Sequence, residues 1–428
     1  MNRRHFLNIG CTAALSSMSS GLSAFTTTPF PKKSGFRAST VFAPKSNDIF
    51  VLIFLRGGCD ALQFVAPVSD KNYIDARSTD LRINESGKEK GLPLSNTLNN
   101  LDFCLNPKAN AFKELYDAKK LAIIHSVGLT NGTRSHFEAM DLIERGLLNE
   151  KNTTNTEGWL TRLLQQLSPD GAIPAIATGG HLPLSFLNSK NAVSLQKAKD
   201  FQLHNDPRML GLLKQLYQGE GLLNQTALKT IETIRFLDKK LPRQNNEIID
   251  YKPANNANYP KGDYGEELSN NLQALAQMIK MDVGVQVATV DFGGWDTHEN
   301  QTYHFPRLVE ALTKSVGAFY NDLSNYHNRL NILVMSEFGR RLKSNKSNGT
   351  DHGFGGTMFA IGDNVKGGKM YGKWNGLMTE QLDNRVDLAV TTDYRTVLSE
   401  FVVKRLKVNK VETVFPNFKQ GVMLDFLV

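Results

Sequence analysis

Long apolar runs are missing from this sequence. Across its 428 residues no stretch reaches the roughly 18 apolar residues of an ordinary membrane-spanning helix, so no integral membrane segment is expected in the mature chain. Cysteine is scarce too. Three residues, Cys11, Cys59 and Cys104, cannot build a disulfide framework, although Cys59 and Cys104 could pair in an oxidising compartment. Charge of one sign is only mildly in excess: 50 Lys+Arg face 42 Asp+Glu, a net +8. Basic–aromatic interleaving and any recognisable nucleic-acid module are lacking, so no nucleic-acid partner is expected. Internal repeats are absent. With 40% hydrophobic residues the chain can bury a sizeable core, which excludes disordered and collagen-like classes.

The first residues read as an address. Arg3-Arg4-His5-Phe6-Leu7 is a twin-arginine start, followed by a weakly apolar stretch to about Leu22 and the small residues Ser23-Ala24. A charged start, a short apolar middle and a small-residue end describe an export signal. The paired arginines point to the route for folded proteins, with the twin-arginine translocase as partner. The expected organisation is a signal over 1–24, a lead-in linker over 25–47, and one α/β domain over 48–428 with a helical insertion or lid at about 200–260. A periplasmic or secreted location is expected from the signal.

Beyond the linker, short apolar runs recur: Ile49–Leu55, Leu121–Val127, Ile173–Thr178, Val285–Asp291, Ile332–Ser336 and Met358–Ile361. Their length suits strands buried on both faces. Amphipathic stretches lie between them, at Ala109–Ala118, Phe137–Leu148, Trp159–Leu167, Leu268–Met281, Leu308–Tyr326 and Tyr394–Leu406. This alternation predicts a mostly parallel central sheet with helices on both faces. In the insertion, Leu212, Leu213, Leu216 and Tyr217 form one helical stripe and Ile231, Ile234 and Leu237 another.

In such sheets ligands bind beyond the carboxyl ends of the strands. After the first strand comes Arg56-Gly57-Gly58-Cys59-Asp60, where Asp60 either ligates a metal or caps a short helix. After the second comes Thr133-Arg134-Ser135-His136 at a helix start. That end favours an anion or an activated hydroxyl, with Arg134 as a fork of donors for a substrate anion. Ser135 or Thr133 is a nucleophile or a plain N-cap; His125, inside the strand, reads as a core histidine. After Val285–Asp291 comes Gly293-Gly294-Trp295-Asp296-Thr297-His298, in which Asp296 and His298 can reach one ion. After Ile332–Ser336 come Glu337, divided between ligand, base and ion-pair partner, and the cationic Arg340, Arg341, Lys343 and Lys346. The Gly-flanked pair Asp351-His352 then presents two more metal-ligand candidates.

The ordered motifs RRHFL, LRGGCDAL, RSHFEAMD, VDFGGWDTHENQ, SEFGRR, GTDHGFGG, VKGGKMYG and TTDYR resemble the bacterial family catalogued as domain of unknown function 1501. That family is similar to the alkaline phosphatase and sulfatase superfamily. The resemblance implies an alkaline-phosphatase-like three-layer α/β sandwich and a divalent metal ion, whether zinc, manganese, magnesium or calcium. It further implies hydrolysis of a small anionic phosphate or sulfate ester. Asp60, Asp296, His298, Asp351 and His352 match the ligand-like motifs. Ser135, His136 and Glu337 are the catalytic candidates, and Arg134 and Arg340 the substrate-binding ones. Two departures stand out: the sulfatase Cys/Ser-x-Pro-x-Arg signature is absent, and Asp296 and His298 are closer than the phosphatase Asp-x-x-x-His spacing. The alternative is a non-catalytic periplasmic binding or assembly protein on a hydrolase-like fold.

Overall fold

The structure is a computed structural model. It describes residues 46–428 apart from 88, 150–155, 170, 201–206, 246 and 263. The expected export signal and nearly all of the lead-in therefore lie outside the described residues.

A nine-stranded sheet organises the molecule. In chain order its strands are β1 (Ile49–Leu55), β2 (Leu121–Gly128), β3 (Ala175–Thr178), β4 (Ala192–Leu195), β5 (Val287–Phe292), β6 (Leu330–Ser336), β7 (Gly356–Ile361), β8 (Lys369–Tyr371) and β9 (Thr392–Asp393). The spatial order is β8-β2-β7-β6-β1-β5-β3-β4, with β9 beside β2. Every pairing is parallel except those of β7 with β6 and β2. The register places Leu55 opposite both Phe292 and Ser336, so the carboxyl ends of β5, β1 and β6 lie level.

Strand side chains alternate between faces. Ile49, Val51, Ile53 and Leu55 enter one apolar cluster; Phe50, Leu52 and Phe54 enter the other. Helices α1 (Asn110–Asp117), α4 (Glu266–Lys280) and α5 (Gln301–Asp322) cover the first face. Helices α2 (His136–Glu144), α3 (Trp159–Leu167) and α6 (Tyr394–Glu400) cover the second. The result is the three-layer α/β arrangement with a mostly parallel sheet, as the sequence pattern predicts.

Strand β7 runs against its neighbours. Its reversal brings its amino end, not its carboxyl end, to the edge where β6, β1 and β5 finish. The loop before β7 therefore reaches the edge where ligands bind.

In the 200–260 segment, Pro207–Leu216 and Leu222–Lys240 are helices, followed by a short ribbon, Arg243–Gln244 with Glu247–Ile248. Ile231, Ile234 and Leu237 are buried as their stripe predicts, but Leu212 and Leu216 are exposed. Among the described residues no helix is long and apolar enough to cross a membrane. Cys59 and Cys104 are both free and buried.

Candidate metal centre

The loops after β1 and β5 and the connection from β6 to β7 are drawn together by one buried cation. Arg340, 1% exposed, donates from Nε to the Gly58 carbonyl at 2.7 Å and from Nη1 to the Thr350 carbonyl at 2.7 Å. Its Nη2 donates to the carbonyls of Gly57 and Trp295 at 2.6 and 3.1 Å and to Asp296 Oδ1 at 2.6 Å. Gly57 permits one of these close approaches. Its φ is +123°, and a Cβ there would lie 2.4 Å from the Asp296 amide nitrogen.

On this base His136, Asp296 and His352 bring their ligating atoms within 4.8 Å of one another. His136 Nε2 lies 2.9 Å from His352 Nε2 and 3.5 Å from Asp296 Oδ2. His352 Nε2 lies 3.1 Å from Asp296 Oδ1. His298 Nε2 adjoins the group, 2.7 Å from His352 Nε2 and 3.1 Å from Asp296 Oδ1. Asp351 stands behind His298, its Oδ1 3.4 Å from Nδ1. The Phe338 ring packs against both His136 and His352.

The outward nitrogens fix what the inward ones can do. His136 Nδ1 donates to Glu337 Oε1 at 2.7 Å, and His352 Nδ1 donates to the Arg134 carbonyl at 2.8 Å. Carbonyl and carboxylate oxygens only accept, so both Nδ1 atoms carry the proton. In the neutral rings both Nε2 atoms then present lone pairs to each other and to a carboxylate. Such a set is repulsive without a cation or added protons. It is also the donor set that zinc and related divalent ions take, with each ligating imidazole held from its far nitrogen.

The electrostatics follow from these contacts. Burial works to raise the Asp296 carboxyl, but the hydrogen bond from Arg340 and the charge of that guanidinium outweigh it and hold the pKa at about 2. Glu337 is fully buried, which also works to raise it. The bonds from His136, the Gly57 amide (2.8 Å) and the Ser336 hydroxyl (2.9 Å) keep it below its ordinary value. The bond to Glu337 raises His136. Burial lowers His352.

Several sequence expectations need correction. Asp60 is not placed to ligate: it is fully buried and caps the turn Ala61–Phe64 through the Leu62 and Gln63 amides. Its oxygens also receive Arg77 at 2.6 and 2.8 Å and Gln301 at 2.7 Å. Arg340 is not available to substrate, because its donors are spent on the loops. Arg134 is turned to buried Asp387, donating from Nε at 3.0 Å, rather than to an open site. Ser135 Oγ accepts from the Glu138 amide at 3.5 Å as the N-cap of α2. The Thr133 hydroxyl is committed to Glu138 Oε2 at 2.6 Å. Glu337 serves as the partner of His136. His125, by contrast, is the core histidine the sequence suggests, bonded through Nε2 to the Val65 carbonyl.

Sequence reasoning misses Phe338, Asn345 and Asp387. Asn345 donates to the His298 carbonyl at 2.9 Å and to Asp351 Oδ1 at 3.2 Å, steadying both. It lies in the polar turn between Arg341 and Gly349, where its composition signals only a loop.

The model of a family described as "Protein of unknown function (DUF1501)" matches residues 48–399. No curated protein matches the chain. Among solved structures, the chain is similar to a protein of the alkaline phosphatase superfamily from Vibrio parahaemolyticus, with 10% identity and a TM-score of 0.35, covering 86% of this chain and 71% of that one. It is similar to a sulfatase from Pseudoalteromonas sp. (10%, TM-score 0.31, covering 86% and 68%). It is also similar to the alkaline phosphatase of the Antarctic bacterium TAB5 (10%, TM-score 0.28, covering 75% and 92%). With TM-scores this low, the chemistry of the site rests on the sheet order and the side-chain geometry of the chain itself.

Proposed function

The chain belongs to the DUF1501 family, and from that premise we propose that it is an exported metal-dependent hydrolase of phosphate or sulfate esters. The observation that supports this reading is the pair of opposed imidazole Nε2 atoms, 2.9 Å apart beside Asp296. His136, Asp296 and His352 would hold a divalent cation, with His298 and Asp351 adjoining. Bound there, the cation supplies Lewis acidity, offsetting charge on an ester oxygen and making water more acidic.

The residues of the chain have separate tasks. Glu337 and the Arg134 carbonyl orient the imidazoles from behind. Arg340 holds the Asp296 carboxylate from below and ties its loop to the Gly57-Gly58 turn. Arg341 and Lys343, on the ribbon strand Arg340–Ser344, and Lys346, in the turn that joins it to Thr350–His352, lend positive potential that favours a small anionic substrate. Thr133 donates its hydroxyl to Glu138 and Ser135 Oγ caps α2, and water is taken as the attacking group. Export through the twin-arginine translocase to the periplasm or beyond would deliver the domain already folded.

The commitment of the Thr133 hydroxyl to Glu138 and the capping role of Ser135 favour a second reading, a binding or assembly protein that holds metal without turnover. One experiment separates the two. Purified protein is titrated with zinc, manganese, magnesium and calcium, then offered phosphate mono- and diesters and sulfate esters. Metal with turnover that Asp296→Asn abolishes supports the hydrolase. Metal without turnover across the panel supports the binding protein. The absence of stoichiometric metal overturns both.

A further inference from the structure

The loop that orients His352 is itself anchored by charge. Arg134 offers its backbone carbonyl to His352 Nδ1 at 2.8 Å. Its guanidinium reaches away, onto the Phe354 ring (4.6 Å to the centroid) and onto Asp387 Oδ2. The Asp387 side chain is fully buried. Its backbone bridges to Arg341, the neighbour of Arg340, which pairs with His352 across the ribbon. The chain of contacts therefore closes on itself: His352, the Arg134 carbonyl, the Arg134 side chain, Asp387, the ribbon, and His352 again.

We propose that the Arg134–Asp387 ion pair is a positioning device: it fixes the Arg134 carbonyl against His352 and so selects the ring tautomer whose Nε2 faces the metal centre. The proposal rests on the metal-centre reading for its purpose, but not for its test. A carbonyl oxygen accepts only from a protonated Nδ1, so its place decides which nitrogen is left free. Orienting partners of this kind, when lost, lower metal affinity typically 10–100-fold. A charge pair is suited to the task because Arg134 sits in a loop between β2 and α2, where few backbone bonds restrain a carbonyl. The Asp387 carboxylate is held in turn on the ribbon side, with Arg341 Nε 3.8 Å from its other oxygen.

The test uses the full mature chain, metal-free at pH 8, with 15N-labelled histidine and His352→Gln to assign the signal. Asp387→Asn and Arg134→Met each remove one partner; the double variant removes both and leaves neither charge unpaired. Wild-type His352 is expected as the Nδ1–H tautomer. In the variants Nε2–H becomes populated and zinc binds 10–100-fold more weakly by calorimetry. The double variant regains the metal-free melting temperature while its zinc affinity stays low, which separates positioning from simple stability. If Asp387→Asn fails to fold, Arg134→Met and the double variant carry the test. An unchanged His352 tautomer, or a double variant that binds zinc as wild type does, overturns the proposal. Wild-type protein that binds no zinc overturns the metal-centre reading instead, and the tautomer measurement still decides this one.

Discussion

Asp60 depends on Arg77. The two are fully buried and doubly bonded at 2.6 and 2.8 Å, and Arg77 also caps the Leu342 carbonyl at 2.6 Å. Removing one partner of a buried pair strands the other charge in a low-dielectric interior, at a cost of about 3–5 kcal/mol. Arg77→Met is therefore expected to lower unfolding stability by that order in urea. The folded variant should keep wild-type zinc stoichiometry, because Asp60 lies outside the His136–Asp296–His352 group. Loss of bound zinc in folded Arg77→Met would return Asp60 to the ligand set. His125 supports a prediction about pH. Burial depresses its pKa to about 4. The unfolded chain thus binds a proton below about 6.5 that the native state refuses until near 4. Stability from this group is complete above about 6.5 and declines as pH falls towards 4, by about 3 kcal/mol in all. His125→Gln retains a donor for the Val65 carbonyl but has no proton to gain. Its melting temperature should fall less steeply than that of wild type between pH 6.5 and 4. Parallel curves would show that His125 is not the group responsible.

The elements bring distant loops to one edge, and their close approach is what substitution should disturb. Gly57 at φ +123° meets the Asp296 amide with no room for a Cβ. Gly57→Ala is expected to cost about 1–3 kcal/mol in backbone strain and to displace Asp296. Zinc affinity should then fall together with stability, by calorimetry and melting; wild-type zinc affinity in this variant would show that the two loops move independently. Much of this level is legible in the sequence. The run Ile49–Leu55 and the helix Trp159–Leu167 match their elements residue for residue, because period and punctuation are local signals. The run Tyr394–Leu406 reads as one helix, whereas the α-helical part ends at Glu400 and Phe401–Arg405 is a π-helical turn; the apolar spacing barely distinguishes the two. His136, Asp296, His298 and His352 are visible as polar residues in Gly-rich strand ends. What they meet is not. The Asp60 partner Arg77 lies in no motif, and the His352 partner is a backbone carbonyl, which any residue would supply. The reversal of β7 is also hidden, since an apolar run carries no sign of strand direction. It is this reversal that brings the loop before β7, and with it His352, to the edge where His136 and Asp296 lie.

For the whole molecule, a cation held by His136 after β2, Asp296 after β5 and His352 before β7 would tie together chain segments far apart in sequence. A ligand that binds only the folded state stabilises it by RT ln(1 + [L]/Kd), about 2.7 kcal/mol at a hundredfold excess over Kd. For a chain of this length that corresponds to a rise in melting temperature of about 3 °C. Wild-type protein should show that rise on adding zinc and lose it with a chelator. Asp296→Asn and His352→Gln should melt at the same temperature with and without zinc. The rise should also shrink as pH falls, starting above the ordinary histidine value of about 6.5, because protons compete for the inward imidazole nitrogens. His136, whose pKa is raised by Glu337, meets that competition at higher pH than His352, whose pKa burial lowers. Glu337→Gln removes the cause of the first shift, so the zinc-dependent rise should persist to lower pH than in wild type even as its size at pH 8 declines. A rise that survives Asp296→Asn, or that does not depend on pH, would place the bound ion elsewhere on the molecule.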